Sequence, residues 1–270
     1  MPTIKRLISA IREGRVASGL RGRAARWSGP LRERIIEHST ARHAAIQIAG
    51  DVRAPFAGQI VAAVAAALTG EGKLPETVRS IKGMSGQRYR TFINELIGSL
   101  PNARYLEIGA WAGSTAASAL YGNSNATAVV IDNWSLFGGP KEDFFRNMEP
   151  IVSASPSSFR FIEEDFRRIR FDELGPFNVY FFDGPHEERD QFDGVLLAQP
   201  ALDKIHILIV DDWNFREVRL GTLRALRDLN AELLMSFVVR TSFDQKQPAI
   251  AGNKSDWHNG VFVGIVKKAS

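Results

Sequence analysis

The chain has 270 residues, 44% hydrophobic and 24% charged, which suits a water-soluble globular protein with room for one large domain, or one domain and an appendage. It has no cysteine, so disulfides, thiolate metal sites and a cysteine nucleophile are excluded, and a cytoplasmic location fits that absence. The net charge of +4 is uneven: residues 1–40 carry +6 and the remainder −2, so the basic character belongs to the N-terminus.

That N-terminus, MPTIKRLISAIREGR, is basic and amphipathic and lacks the apolar core of a secretory signal. It suits a solvated basic face, an anionic membrane surface or an organellar transit peptide. Residues 1–80 are expected to form a helical extension, broken at SGP (28–30), AGD (49–51) and GEGKLPE (70–76). Within it, PFAGQIVAAVAAALTG (55–70) is too short to span a bilayer and reads as a buried helix.

Residues 81–270 have a different texture. Short apolar runs predict strands at 103–109, 126–132, 159–164, 177–183, 205–211, 232–239 and 261–267, with helices at 113–121, 141–151, 188–202 and 215–229. This alternation predicts an α/β fold: a doubly wound, seven-stranded, mostly parallel sheet with helices on both faces. The last two strands have no helix between them and are expected to pair antiparallel across the loop 240–260. Ligands of such sheets bind beyond the carboxyl ends of the strands, so the residues just after each strand hold the candidate chemistry.

The first of these strands ends in EIGAWAGS, with Glu107, Gly109, Trp111, Gly113 and Ser114 at a strand-to-helix turn. Glycines there let backbone approach a ligand, although they also serve close helix–strand packing. Asp132 ends the next strand at the distance where an acid accepts ribose hydroxyls, and Asp165 and Phe166 follow the third, placed to frame an adenine ring. Asp183 ends the fourth strand, and Asp211 and Asp212 the fifth. Three carboxylates on one rim repel one another and raise their own pKa values, a conflict that a hard divalent cation such as Mg²⁺ removes. Asp183 opening a turn before Gly184-Pro185 and Asp212 capping the following helix is the structural alternative. His186, three residues beyond Asp183, is a candidate general base beside it.

From about residue 86 onward these motifs resemble the class I S-adenosylmethionine-dependent methyltransferases, and the acid pattern resembles their metal-dependent catechol-type and macrocin/mycinamicin-type O-methyltransferases. The resemblance implies a methionine pocket around Glu107, Gly109, Trp111, Gly113 and Ser114, a ribose site at Asp132 and an adenine site at Asp165 and Phe166. It further implies Mg²⁺ on Asp183, Asp211 and Asp212, with His186 and Asp183 catalytic. One departure stands out: Trp111 occupies the place of the family's usual middle glycine. The expected reaction is methylation of a hydroxyl on a small polar acceptor, a vicinal diol or a sugar of a natural product or glycan. Nucleic acid is disfavoured, because the Asn/Asp-Pro-Pro-aromatic motif of DNA methylation is missing. A homo-oligomer is compatible with the sequence.

Three alternatives stay open: a metal-independent methyltransferase, a nicotinamide dehydrogenase, and a binding or scaffold protein retaining the fold. The glycine turn lacks the Gly-x-Gly-x-x-Gly spacing that favours the dehydrogenase. His206 reads as structural, Trp257 and His258 as candidate lid residues, and Arg219, Arg224 and Arg227 as a solvated helix face.

Overall fold

Residues 44–154 and 158–269 are described by the computed structural model, and readings that fall on the N-terminal basic stretch lie outside them. The elements run β1 (Ala45–Gly50), α1 (Ala57–Thr69), α2 (Glu76–Arg79), α3 (Gln87–Ser99), β2 (Arg104–Ile108), α4 (Ser114–Leu120), β3 (Thr127–Asp132) and α5 (Lys141–Ala154). They continue with β4 (Ser158–Glu163), β5 (Phe177–Phe182), α6 (Glu188–Leu197), β6 (Leu202–Asp211), α7 (Arg216–Asp228), β7 (Glu232–Arg240) and β8 (Val261–Lys267). One sheet holds all eight strands in the order β1-β7-β8-β6-β5-β2-β3-β4. The five strands β6-β5-β2-β3-β4 are parallel, β8 pairs antiparallel with both β6 and β7, and β1 pairs antiparallel with β7.

The expected α/β architecture is therefore present, with one strand more than predicted. The extra strand is β1, from the segment expected to be helical: AIQIAG pairs along its whole length with residues 235–240 of β7. Apolar residues at 45, 46, 48 and 49 fit a helix face as well as a short strand, and the partner decides between them. The helix expected at 55–70 forms as α1, and it packs with α3 into the same core as the sheet. The helix expected at 188–202 stops at Leu197, where a 3₁₀ turn (Gln199–Ala201) leads straight into β6.

Side-chain alternation splits the core into two layers. Val179, Phe181, Ile207 and Ile209 face α1, α3, α4 and α5, whereas Tyr180, Phe182, Leu208 and Val210 face α6 and α7. β5 is buried at every residue, as a central parallel strand covered on both faces must be. The chain moves outward from β2 through β3 to β4 and then returns to the other side of β2 as β5. That reversal opens a crevice at the carboxyl ends of β2 and β5.

Two sequence readings about buried residues resolve here. His206 is fully buried in β6, its Nδ1 3.0 Å from the Asp203 carbonyl, and burial drives its pKa down to about 4, so it is structural as expected. Trp257 is a correction: it is no lid residue but a core residue, 2% exposed, within 6.4 Å of the rings of Tyr89, Phe92 and Phe237. Trp257→Ala should therefore cost about 3–5 kcal/mol of stability in denaturant unfolding. A loss of activity at unchanged stability would contradict this placement.

Candidate active site

The turn after β2 is set by proximity of backbone. Asp183 N–H donates to the Ile108 carbonyl (2.8 Å) and Gly109 N–H to the Ile131 carbonyl (2.9 Å), stitching three strand ends together. Gly109 has φ +91°, and a Cβ there would lie 1.9 Å from the Asp183 carbonyl oxygen, so no other residue fits without displacing the neighbouring strand end. Glu107 is wholly buried behind this turn, its carboxylate accepting from the hydroxyls of Tyr105 (2.7 Å) and Thr115. Burial raises its pKa to about 7, with repulsion from Asp132 acting in the same direction and the two hydroxyls pulling down. Ser114 is also buried and bonds Ser85.

Asp132, at the end of β3, braces two backbones. Its Oδ2 accepts from Trp111 N–H (2.8 Å) and its Oδ1 from Trp134 N–H (2.7 Å), leaving each oxygen one further acceptor site. Asp165 caps the 3₁₀ turn Phe166–Arg168 through the Arg167 N–H (2.9 Å), and the Arg167 guanidinium lies over the Phe166 ring at 4.6 Å. Arg167 is also ion-paired with Asp190 and Asp193 of α6, which fixes the segment after β4 against that helix.

The acids at the ends of β5 and β6 meet at one rim, Asp183 partly exposed and the other two buried. Asp211 and Asp212 are 3% and 4% exposed. Burial, and then repulsion within the cluster, pushes the Asp183 and Asp211 carboxyls well above the usual carboxylate range. Asp211 Oδ1 has no hydrogen-bond partner. Burial also acts upward on Asp212, but the His186 hydrogen bond and charge and the Asn259 amide outweigh it and hold this carboxyl low. His186 Nε2 sits 2.6 Å from Asp212 Oδ2 and 4.0 Å from Asp183 Oδ1, and the Asp212 contact raises the imidazole pKa against the effect of burial. Ligand atoms of Asp183, His186 and Asp212 lie within 4.8 Å of one another. Asp212 does not cap α7: residue 215 precedes that helix without a side-chain cap, and Asp212 adopts φ +57° to turn its carboxylate to His186 and Asn259.

One cavity of about 480 Å³ joins these groups. Of the residues expected in the site, Gly109, Trp111, Asp132, Asp165, Phe166, Asp183, His186, Asp211 and Asp212 line it, whereas Glu107, Gly113 and Ser114 do not: Gly113 abuts Phe144 and Met148, and Ser114 bonds Ser85. His258, expected as a lid residue, lines it from a buried position, with Nδ1 accepting from Gly252 N–H (2.8 Å). Sequence reasoning missed Phe137, Phe215, Arg167 and Asn259. Asn259 is brought in by its carbonyl, which accepts from Asn214 N–H (2.9 Å), and its Nδ2 donates to Asp212 Oδ1 (2.6 Å). Nothing in the local sequence flags such a contact, whereas "DFRR" after a strand end could have flagged Arg167.

No protein-family model and no curated protein matches the chain. Among solved structures, TrmN from Thermus thermophilus aligns at 15% identity and TM-score 0.46 over 67% of this chain and 48% of that one, so the chain spans about half of its length. Cofactor-bound Rv0187 from MTB aligns at 15% identity and TM-score 0.47, covering 78% of this chain and 91% of that one. An O-methyltransferase from Bacillus cereus in complex with SAH aligns at 14% and 0.45, covering 80% and 94%. At such identities and TM-scores the chemistry of the cavity itself has to carry any functional conclusion.

Glu107 gives a pH test of this geometry. Its carboxyl is held protonated more tightly in the folded chain than the ordinary value of 4.5, so its contribution to stability is complete below about pH 4.5 and is lost as pH rises to about 7. Glu107→Gln should flatten the stability profile across that window by up to roughly 3 kcal/mol relative to the parent chain, measured by denaturant unfolding at each pH.

Proposed function

We propose that this chain is a class I S-adenosylmethionine-dependent O-methyltransferase that uses a divalent cation, Mg²⁺ in the first instance, and methylates a hydroxyl of a small polar acceptor. The observation that carries this reading is the continuity of the cavity. Asp132, Asp165 and Phe166 lie along one part of its wall, and Asp183, Asp211, Asp212 and His186 along another. A dehydrogenase has no use for the second group, and a pure scaffold has no use for gathering three carboxylates on one cavity wall.

The residues suit the methyl donor. Asp132 keeps an acceptor site on each oxygen for ribose hydroxyls, Asp165 and the Phe166 ring suit an adenine, and the backbone at Gly109 lets the rest of the molecule come close. Glu107, Gly113 and Ser114 lie outside the cavity lining. S-adenosylmethionine supplies a sulfonium-activated methyl group that leaves with both bonding electrons on the sulfur. The cation also fits: Asp183 and Asp212 converge, and the orphaned Asp211 Oδ1 is the kind of buried oxygen that a hard cation satisfies. Bound there, it would keep three carboxylates ionised together, acidify an alcohol, and replace the imidazolium in balancing Asp212.

The chain's own part is to orient the acceptor and take its proton. With Nε2–H given to Asp212, the neutral His186 ring carries its lone pair on Nδ1, which accepts the hydroxyl proton as the oxygen attacks the methyl carbon. Asp212 then steadies the imidazolium, and the rings of Phe137 and Phe215 beside it reduce access of water. The same His186–Asp212 pair supports a metal-independent variant of the reaction, in which it serves as a base and its orienting acid. The acceptor is a sugar or other vicinal diol of a natural product or glycan, and nucleic acid is not part of this proposal.

Calorimetry should show S-adenosylmethionine binding to the parent chain and to His186→Ala and Asp211→Asn. Transfer of labelled methyl to hydroxylated acceptors should fall by about 100-fold or more in both variants. Absence of donor binding by the parent would overturn the methyltransferase reading. Full activity in EDTA would leave the metal-independent mechanism, and loss of Mg²⁺ binding in His186→Ala would make the histidine a ligand rather than the base.

A further inference from the structure

Trp111, where the resembling family has glycine, takes up a left-handed backbone conformation (φ +45°) that glycine adopts freely and tryptophan does not. A residue held at such a cost has a compensating use, and its contacts show one. Its indole Nε1–H donates to the Phe137 carbonyl (3.0 Å), its own carbonyl accepts from the Trp134 indole (3.2 Å), and the ammonium of Lys82 lies 5.4 Å from the centre of its ring. Asp132 holds the backbones of both tryptophans.

Within the segment tied down in this way, residues 133–140, the other restraints gather at its two ends, on the Trp134 ring and in the Gly139 N–H to Leu136 carbonyl turn, and leave the Phe137 carbonyl to the Trp111 indole. Trp134 is anchored by stacking on Phe161 at 4.8 Å. Beyond it come exposed Leu136 and Phe137, then Gly138 and Gly139, with left-handed backbone at Phe137, Gly138 and Gly139. Phe137 is 62% exposed, so burial of its ring does not secure the segment. Yet Leu136 and Phe137 line the cavity, and the Phe137 ring centre stands 6.5 Å from that of His186. Phe215, stacked on His186 at 6.3 Å, is the other aromatic ring beside that imidazole.

We propose that the Trp111 indole is a latch that fixes residues 133–140 as a wall of the acceptor end of the cavity. Trp111 is thus a positioning residue: the space left between Phe137, Phe215 and His186 sets which acceptors fit, and the N–H of Trp111 sets that space. Its role as an acceptor wall rests on the methyltransferase reading, whereas the latch itself is a property of the fold and can be tested without a known acceptor.

The test uses the full chain and two variants. Trp111→Phe keeps an aromatic ring for Lys82 but removes the N–H donor; Phe137→Ala keeps the accepting carbonyl but removes the ring. Amide hydrogen exchange across residues 133–140 should quicken by about tenfold in Trp111→Phe and remain at the parent rate in Phe137→Ala. Modification of His186 by diethyl pyrocarbonate, mapped by mass spectrometry, should quicken by about threefold in both variants. Affinity for S-adenosylhomocysteine should change by less than about threefold in Phe137→Ala, the one of the two residues not assigned to the donor pocket. Parent-like exchange in Trp111→Phe, or equal loosening in Phe137→Ala, overturns the latch. Unchanged His186 modification in Phe137→Ala overturns the wall, and that variant decides the point even if Trp111→Phe fails to fold. If the parent chain binds no S-adenosylhomocysteine, the methyltransferase reading fails while exchange and modification still decide the latch.

Discussion

Three carboxylates gathered at the ends of two parallel strands, two of them buried and the third partly exposed, are the constraint around which the rest of the molecule is arranged. Parallel pairing of β5 with β6 brings Asp183 to the same rim as Asp211 and Asp212, where reduced contact with water weakens the screening between them. Each isolated carboxylate in such a place is costly, and together they raise one another's proton affinity. The fold answers with unequal environments. Asp212 receives an imidazole and an amide and is held low, while Asp211, with only the Asp212 backbone, Asp183 and Tyr89 to pull its carboxyl down, is pushed up by burial and by repulsion from Asp212. All three acids line the same cavity, and the charge that the protein itself brings to balance them is that of His186 on Asp212.

A second arrangement separates the functions of the cavity. Asp132 reads in the sequence as a ribose acid, yet in the fold it also clasps the backbones of Trp111 and Trp134. It therefore couples the turn after β2 to the segment after β3, two stretches that line the same cavity. Arg167 does comparable work at the far end, pinning the segment after β4 to α6, the helix that begins two residues beyond His186. Both links are polar and lie at the cavity rim rather than in the apolar core. Such links hold a cavity's shape while leaving its walls independent of the hydrophobic layers beneath.

Much of this was legible because strand ends are marked in sequence by abrupt changes of polarity. Runs such as NVYFFD and ILIVDD announce a buried parallel strand by continuous apolarity and its end by the acid, and the structure places each within a residue or two. The segment AIQIAG reads as helix because apolar residues at 45, 46, 48 and 49 suit a helix face as well as a short strand, and β7 supplies the edge that recruits it. Trp257 was misassigned for a related reason. A tryptophan in a long loop looks like a lid until the aromatic pocket of Tyr89, Phe92 and Phe237, drawn from two distant elements, is seen to enclose it.

The sequence by itself determined the α/β class, the strand ends that carry chemistry, and the types of group available there, because polarity pattern and residue spacing are local properties. Only the tertiary structure decided which of those groups share a space. It kept Glu107 out of the cavity lining, brought Asn259 to Asp212 from 47 positions away, and paired His186 with Asp212 more closely than with the nearer-in-sequence Asp183. It also gave Trp111 a role that its position in a glycine motif does not suggest. Those outcomes depend on backbone direction and on contacts between residues far apart along the chain, which one-dimensional spacing does not encode.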